Sequence, residues 1–254
     1  MRGDVAAIVP AAGAGRRLGG TVNKLFLTLG GQPLLAHALR VLQDSPAIRW
    51  IIPVVRAQER DEMETLLAAY RITKALRPVR GGRSRAESVA GGFAAVPREA
   101  GFVLVHDGAR PCLTDALVQQ VVEAGRRYGA VVCGLPASLT VKAVNAHREV
   151  QSTLDRSRLW LVQTPQVFRR DWFEQALSRA DHRLDRFPDD ASLLEAAGLL
   201  VKVIPGDPLN VKVTTREDLL LAEAVLKSRS SGQMTRWPSD RNPVGHRATR
   251  PPGH

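Results

Sequence analysis

A basic loop that contains glycine follows the first apolar run of the chain, Val5 to Val9. It reads Pro-Ala-Ala-Gly-Ala-Gly-Arg-Arg from Pro10 to Arg17. Small residues let backbone N–H groups come close to a bound group, and here they are Ala11, Ala12, Gly13 and Gly15. Positive charge comes from Arg16, Arg17 and Lys24. The loop therefore predicts a site for an anionic ligand, above all a polyphosphate.

This loop differs from both common nucleotide loops. A Walker A loop needs a lysine at a fixed distance after its first glycine, and none stands there for Gly13 or Gly15. The third glycine of the dinucleotide fingerprint is replaced by Leu18. A basic turn between a strand and a helix is the alternative, but turn chemistry alone does not explain so many cations around glycines.

A second place where chemistry is expected follows the apolar run Phe102–Val105. A carboxylate at the carboxyl end of a central strand is well placed to hold a divalent metal against phosphates. Asp107 is therefore predicted to be a metal ligand, and an aspartate that caps a helix or a turn is the alternative. His106 is interpreted as structural, since a lone histidine at a strand end is a weak candidate for a base.

A glycine pair at Gly81-Gly82 precedes a predicted helix, for which Ser84 or a neighbour is the expected cap. The glycine backbone could approach a base or a ribose. The residues by themselves favour an ordinary turn between a strand and a helix.

Apolar runs alternate with segments of helical periodicity from Val5 to Leu135. This order predicts an α/β fold with a Rossmann-like, doubly wound and mostly parallel sheet. The predicted strands are Val5–Val9, Trp50–Val55, a weaker one at Lys74–Val79, Phe102–Val105 and Ala130–Leu135, and the predicted helices are Pro33–Gln43, Glu59–Tyr70 and Thr114–Tyr128.

The pattern changes after Leu135, where two short strands are predicted around a turn at residues 145–148. Periodicity alone identifies only an insertion there. Asp189 and Asp190 precede a predicted helix and are interpreted as ordinary N-terminal charges. The remaining predicted strands are Thr140–Val144, Val150–Leu154, Leu159–Phe168 and Leu199–Ile204, and the remaining long helices are Arg170–Ala180 and Glu217–Lys227.

The formal net charge of +11 suggests nucleic acid at first sight. Part of it belongs to residues 228–254, which hold five arginines and one aspartate in a Ser-, Pro- and Gly-rich stretch predicted to be disordered. Elsewhere the charge is scattered, only 5% of the residues are aromatic, and no recognition module is present. A basic nucleic-acid-binding protein stays the alternative from another class, and we expect no nucleic acid as partner.

No apolar run approaches the length of a membrane span, and too few residues precede Val5 for a signal peptide. Cys112 and Cys133 lie in apolar surroundings without metal-ligand spacing, which favours buried free thiols in a reducing compartment. We therefore expect a cytoplasmic protein without a membrane partner.

The first loop, with Asn23-Lys24 after it, resembles the signature loop of nucleotidyltransferases that activate sugars and alcohols. The nearest resemblance is to the 2-C-methyl-D-erythritol 4-phosphate cytidylyltransferases. Four later motifs are similar to this family and occur in the same order: Gly81–Val89, His106–Pro111, Thr164–Gln166 and Asn210–Thr214. The resemblance spans about residues 4 to 227, and the ordered set is far more specific than any one motif.

The resemblance implies transfer of CMP from CTP to 2-C-methyl-D-erythritol 4-phosphate, in isoprenoid precursor biosynthesis, with Mg2+ as cofactor. It implies a nucleotidyltransferase domain at residues 1–227 with a protruding β-arm at about 137–158, through which a homodimer forms. Arg17 and Lys24 would neutralise phosphate charge, and Arg156 and Lys212 would hold the polyol phosphate. The other expected contact residues are Ala11, Ala12, Gly13, Gly82, Arg85 and Ser88 for the nucleotide, Asp107 for the metal, and Arg110, Thr140 and Thr164.

Four positions depart from the family pattern. Pro188 replaces a threonine, Leu139 an aspartate, Arg83 an acidic residue and Gly108 an alanine. Proline cannot donate a hydrogen bond, so Pro188 could change the contacts to the alcohol. A cytidylyltransferase for another polyol phosphate, such as ribitol 5-phosphate, therefore stays an alternative, because that family shares the loop.

Overall fold

The computed structural model describes residues 4–13, 24–180 and 184–231 of the chain. A seven-stranded sheet forms its centre. The strands are β1 (Val5–Pro10), β2 (Thr28–Leu29), β3 (Gln32–Pro33), β4 (Ile48–Val55), β5 (Val79–Arg80), β6 (Phe102–Val105), β7 (Ala130–Pro136), β8 (Val141–Val144), β9 (Val150–Leu154), β10 (Trp160–Arg169) and β11 (Lys202–Pro205). The α-helices are α1 (Leu34–Asp44), α2 (Arg60–Ala69), α3 (Arg85–Ala94), α4 (Asp115–Tyr128), α5 (Arg170–Arg179), α6 (Asp190–Ala196) and α7 (Arg216–Ser230).

The main sheet has the order β11-β7-β10-β6-β1-β4-β5. Every pairing is parallel except those of β10, which runs antiparallel to β6 and β7. The predicted doubly wound, mostly parallel sheet is thereby confirmed. The chain builds outward from β1 to β4 and β5, and then returns to place β6 on the other side of β1. A reversal of this kind opens a crevice at the carboxyl ends of β1 and β6, which is where open α/β sheets bind ligands.

Helices cover both faces of the sheet. Val5, Ala7 and Val9 of β1 are fully buried against α1, α2, α4 and α7, whereas Ala6 and Ile8 point to the opposite face, which α3, α5 and α6 cover. Burial on both faces explains why β1 is an apolar run without alternation.

Side chains at the N-cap positions stabilise the first turns of α3 and α4. The Ser84 hydroxyl accepts the Glu87 N–H at the start of α3, as predicted, and the Thr114 hydroxyl accepts the Leu117 N–H at the start of α4. These caps satisfy backbone donors that the first helical turn leaves without partners.

Three predicted elements differ from the structure by three residues or more at one end. The strand predicted at Lys74–Val79 is reduced to β5, because Pro78 has no N–H for the ladder, and only a single bridge joins Ala75 to Ile51. The strand predicted from Leu199 begins at Lys202, after a turn in which Gly198 has a φ of 78°. Helix α7 continues to Ser230, so the first residues of the predicted tail are helical. Residues 232–254 lie outside the described residues.

Strands β8 and β9 form a separate antiparallel hairpin, with Val141 opposite Leu154. This hairpin is the predicted β-arm. Most of its residues are exposed, including Val144 and Val150. Among the described helices, none is long and apolar enough to cross a bilayer.

Candidate active site

The loop after β1 begins as an extension of the sheet. The buried Ala11 donates its N–H to the Val54 carbonyl oxygen at 2.7 Å. The Ala11 N–H is therefore engaged with the neighbouring strand, and the expected contact of Ala11 with the nucleotide stays a prediction for its other atoms. Ala12 is half-buried, and no atom of the described residues lies within 4 Å of the place where Gly13 would carry a Cβ. Within the described part of the chain, this backbone is therefore no longer enclosed from Gly13 onward.

The predicted cations of this loop lie mostly beyond what the structure describes. Arg16 and Arg17 are outside the described residues, as is Gly15. Lys24 begins a short 3-10 helix that ends at Phe26, and its side chain is not described. The roles assigned to Arg17 and Lys24 at the phosphates stay predictions.

The glycine pair before α3 is required by close packing. A Cβ at Gly81 would lie 2.4 Å from the Cβ of Ala12, and one at Gly82 would lie 2.4 Å from the Cβ of Glu87. The turn therefore packs directly against the loop after β1. This contact brings the two glycine loops to one wall of the crevice.

The Ser88 hydroxyl stabilises this turn through two hydrogen bonds. Ser88 is buried, accepts the Gly82 N–H at 3.1 Å and donates to the Ser84 carbonyl oxygen at 2.8 Å. The Gly82 N–H is thus engaged within the protein, and so is the Ser88 proton. In this arrangement Ser88 shapes the loop, and a cytosine contact at Gly82 would need atoms other than this N–H.

Asp107 lies at the centre of a cluster of charges beyond the end of β6. Its Oδ1 accepts from Arg85 Nε at 2.9 Å, and its Oδ2 accepts from Lys212 Nζ at 2.7 Å. Burial alone would raise the pKa of the Asp107 carboxyl, but the Arg85 and Lys212 cations hold it well below its usual range. Asp107 is therefore an ionised carboxylate bridging two cations.

Arg85 also contacts a second buried carboxylate. Its Nη2 donates to Asp190 Oδ2 at 2.8 Å, and the Asp190 side chain is only 3% exposed. Burial lowers the pKa of Arg85, but the neighbouring Asp190 and Asp107 charges outweigh it and raise the pKa above its usual value. Arg85 thus joins two carboxylates, and its expected contact with the nucleotide stays a prediction. The interpretation of Asp190 as an ordinary helix-end charge was wrong, since the side chain is buried in an ion pair.

Buried polar side chains of Thr164 and His106 support the backbone of Asp107. The Asp107 N–H donates to Thr164 Oγ1 at 3.0 Å, and Thr164 Oγ1 lies 3.3 Å from His106 Nδ1. His106 Nε2 faces the Arg110 carbonyl oxygen, so Nε2 carries the proton and Nδ1 accepts. Burial lowers the pKa of His106 to about 4, which keeps the ring neutral at pH 7. His106 is structural, as predicted, and Thr164 lies behind the charges.

The segment that carries Lys212 is held by hydrogen bonds to Arg110 and Thr164. Arg110 Nη1 donates to the Asn210 carbonyl oxygen at 2.8 Å, and Asn210 Nδ2 donates to the Thr164 carbonyl oxygen at 2.7 Å. Arg110, expected as a contact residue, stabilises the loop that carries Asn210. Lys212 has a side chain that is 41% exposed, against 10% for Asp107 and 28% for Arg85. Lys212 therefore presents the cluster's positive charge to the crevice.

Comparison with known proteins decides the family. The family profile described as 2-C-methyl-D-erythritol 4-phosphate cytidylyltransferase matches residues 5–228. The chain belongs to this family. A Geobacillus kaustophilus protein of that name is 44% identical to this cytidylyltransferase over 223 residues, covering 88% of this chain and 97% of the relative. One from Syntrophus aciditrophicus is 41% identical over 231 residues, covering 89% and 97%.

Solved structures agree with this assignment. The 4-diphosphocytidyl-2C-methyl-D-erythritol synthase of Anaerococcus prevotii superposes on this chain with a TM-score of 0.76 at 30% identity. The match covers 88% of this chain and 98% of the Anaerococcus prevotii chain. The 2-C-methyl-D-erythritol 4-phosphate cytidylyltransferase of Thermus thermophilus has a TM-score of 0.71 at 32% identity, with the same coverages. The fold and the enzyme class are thus those of a nucleotidyltransferase.

The Asp107 carboxylate is of the kind that binds a metal ion together with substrate phosphates. No three His, Cys, Asp or Glu side chains in the described part of the chain are grouped to hold a metal. Mg2+ commonly binds through one or two carboxylates together with substrate phosphates. Among the described residues, each Asp107 oxygen accepts one hydrogen bond from a cation and retains a further lone pair. Asp107 is suited to be such a carboxylate.

The remaining predicted residues lie on the arm. Thr140 is exposed, and Arg156 donates from Nη1 to the Ser138 carbonyl oxygen at 2.5 Å. Among the described contacts, neither is bonded to the cluster around Asp107. Two of the family departures, Leu139 and Pro188, are exposed, and a third, Arg83, forms an exposed ion pair with Glu87.

Proposed function

We propose that CMP transfer takes place in the crevice between the two glycine loops and the Lys212–Asp107 ion pair. As a member of the 2-C-methyl-D-erythritol 4-phosphate cytidylyltransferase family, the chain transfers CMP from CTP to that polyol phosphate and releases pyrophosphate. The observation that carries the location is the 2.7 Å contact between Lys212 Nζ and Asp107 Oδ2 at the end of β6. It places a partly exposed ammonium at the ligand-binding edge of the sheet.

The reaction joins two anions, so mutual repulsion is a main part of its barrier. A phosphate oxygen of the polyol attacks the α-phosphorus of CTP, and the bond to the β-phosphate breaks as pyrophosphate leaves with the electron pair. The attacking phosphate is already ionised near neutral pH, so no general base is required. Positioning and positive charge supply the catalysis.

Lys212 is the cation that the described residues offer to the polyol phosphate. Asp107 keeps the ammonium in place, and Arg85 on the other oxygen keeps Asp107 in place. Arg17 and Lys24, on the loop after β1, would neutralise charge on the α-phosphate and on the departing pyrophosphate.

Asp107 is the residue that would hold Mg2+, together with phosphate oxygens of CTP. The metal, when bound, supplies positive charge to the triphosphate. The support for this assignment is the ionised state of Asp107 and its position at the end of a central strand.

A homodimer formed through the β-arm is the expected assembly. Apolar side chains lie exposed on the hairpin and on the adjoining half of β10, which is unusual for the surface of a monomer. They include Val144, Val150, Leu154, Leu161 and Val162. A second copy would cover them, and Thr140 and Arg156 of each arm would then complete the other subunit's site.

A cytoplasmic location is supported by the cysteines. Cys112 and Cys133 are buried free thiols, which persist in reducing compartments.

Pyrophosphate release from CTP tests the proposed reaction. The purified chain is given CTP and Mg2+ with either 2-C-methyl-D-erythritol 4-phosphate or ribitol 5-phosphate, with and without EDTA. Release that needs methylerythritol phosphate and is lost with EDTA is the expected result. Release with ribitol 5-phosphate only would move the substrate to the other polyol phosphate and implicate Pro188 and Leu139. Release that resists EDTA would remove the metal role of Asp107.

A further inference from the structure

The buried carboxylate of Asp190 is not needed to start its own helix. The N-cap of α6 is Asp189, which accepts the Ser192 N–H at 2.9 Å and forms a reciprocal capping box with that residue. Asp190 is the next residue, and its Oδ2 accepts from Arg85 Nη2 at 2.8 Å. The partner is 105 positions away in sequence, in another helix. Asp190 therefore serves a contact between α6 and α3.

Arg85 is an unfavourable residue at the place where it stands. It is the first residue of α3, where the positive end of the helix dipole disfavours a cation. Its side chain is only 28% exposed, so the charge must be met by protein groups. Two carboxylates meet it, each through a different nitrogen: Nε contacts Asp107 and Nη2 contacts Asp190.

Because Arg85 contacts two different carboxylates, one oxygen of Asp107 is available to Lys212. A guanidinium can bind both oxygens of one carboxylate through two parallel N–H groups. Here Arg85 contacts Asp107 at Oδ1, while Oδ2 accepts from Lys212. If Nη2 had no other acceptor, it would compete with Lys212 for Oδ2.

We infer that Asp190 is a positioning residue for the transfer reaction, which holds Arg85 Nη2 away from Asp107 and so leaves Oδ2 for Lys212. The inference rests on the proposed function, in which Lys212 holds the polyol phosphate. Asp190 itself is buried and lies behind Arg85, so it acts through the chain Asp190–Arg85–Asp107–Lys212. Its loss should disturb the site for the polyol phosphate more than the site for CTP.

The test compares Asp190→Asn with Asp189→Asn. Both variants remove one carboxylate from the start of α6, and asparagine at the N-cap preserves that cap. Of these two aspartates only Asp190 contacts Arg85, whereas Asp189 Oδ2 accepts from Gln166 Nε2 at 3.1 Å. We expect Asp190→Asn to raise KM for the polyol phosphate by about 10- to 100-fold through the misplaced ammonium, with CTP affinity by calorimetry unchanged. Asp189→Asn should leave both KM for the polyol phosphate and CTP affinity near the wild-type values.

A double-mutant cycle keeps the inference testable if one variant is unstable. Arg85→Lys offers one nitrogen in place of the two that contact Asp107 and Asp190, so it should raise the same KM, and adding Asp190→Asn should raise it little further. Asp190→Glu, which restores the charge, should recover part of the loss. Unfolding temperatures measured in parallel separate a loss of fold from a loss of position.

The results distinguish a failure of the proposed function from a failure of the inference about Asp190. A wild-type chain that releases no pyrophosphate with either polyol phosphate would contradict the proposed function. An active wild type with equal KM values for the Asp190→Asn and Asp189→Asn variants would overturn the inference alone. So would additive effects of Arg85→Lys and Asp190→Asn, or an equal loss of CTP affinity.

Discussion

Lys212 Nζ and Asp107 Oδ2 lie 2.7 Å apart, although 105 positions separate the two residues in sequence. One follows the edge strand β11 and the other follows the central strand β6. The pair holds an exposed ammonium on a buried carboxylate, so the core of the fold fixes the position of this positive charge.

Replacing Lys212 by alanine should reduce turnover by about 100-fold or more, because it removes a preorganised charge from the reacting phosphate. The unfolding temperature should hardly change, since the side chain is 41% exposed and Asp107 keeps its contact with Arg85. Steady-state kinetics and thermal unfolding measure the two effects. Lys202→Ala, an exposed lysine on β11, is the matched control, and equal activity of the two variants would remove Lys212 from the site.

Replacing Gly81 by alanine should disrupt the wall shared by the two glycine loops. The new Cβ would lie 2.4 Å from the Cβ of Ala12, and relief of that clash should cost about 1–3 kcal/mol of stability. CTP affinity should fall with it. Gly91→Ala is the control: it lies inside α3, its Cβ would meet the Arg80 carbonyl oxygen at an ordinary 3.5 Å, and alanine there should stabilise the helix. Unchanged CTP affinity in Gly81→Ala would show that this turn does not shape the nucleotide site.

Protonation of His106 should oppose folding in mild acid. Burial lowers its pKa from 6.5 to about 4 in the folded protein, so the unfolded chain binds the proton more readily. The stabilisation is complete above the unfolded pKa and is lost as the pH falls from about 6.5 towards 4, by up to about 3 kcal/mol. Urea unfolding across this range measures it.

The loss should be absent in His106→Asn. The control His147→Gln, on the exposed arm, should keep the wild-type pH dependence. An identical slope in His106→Asn and in the wild type would assign the acid sensitivity to another group.

A charge placed on the arm should separate the proposed dimer. Val150 is 61% exposed in the described chain, so Val150→Asp should leave the fold intact while it disfavours burial against a second copy. Sedimentation should then show a monomer with little activity. Leu220→Asp, on an exposed position of α7, is the control and should behave as the wild type does. A wild-type chain that sediments as a monomer would contradict the dimer.

Signals that act over a few residues could be predicted from the sequence. The apolar run at β1, the cap at Ser84 and the helix after Thr114 depend on neighbours within one turn. The position of Asp107 at the end of β6 was also predicted correctly, because the end of an apolar strand is a local signal.

Contacts between distant segments could not be predicted in the same way. Asp190 follows a capping aspartate, and a second acidic residue there looks like an ordinary helix charge until the fold brings Arg85 to it. Ser88 is a local case, because its hydroxyl is engaged by Gly82 and Ser84 of its own turn, which the residue types alone do not show. Such contacts within the protein decide whether a polar group is available to bind a ligand.

The most direct test of the central claim is the rate of pyrophosphate release from CTP with 2-C-methyl-D-erythritol 4-phosphate, measured for the wild type, Lys212→Ala and Lys202→Ala at saturating CTP. The account predicts release that depends on the polyol phosphate in the wild type and Lys202→Ala, and its near loss in Lys212→Ala. Equal release from all three proteins would contradict a transfer site built on the Lys212–Asp107 pair.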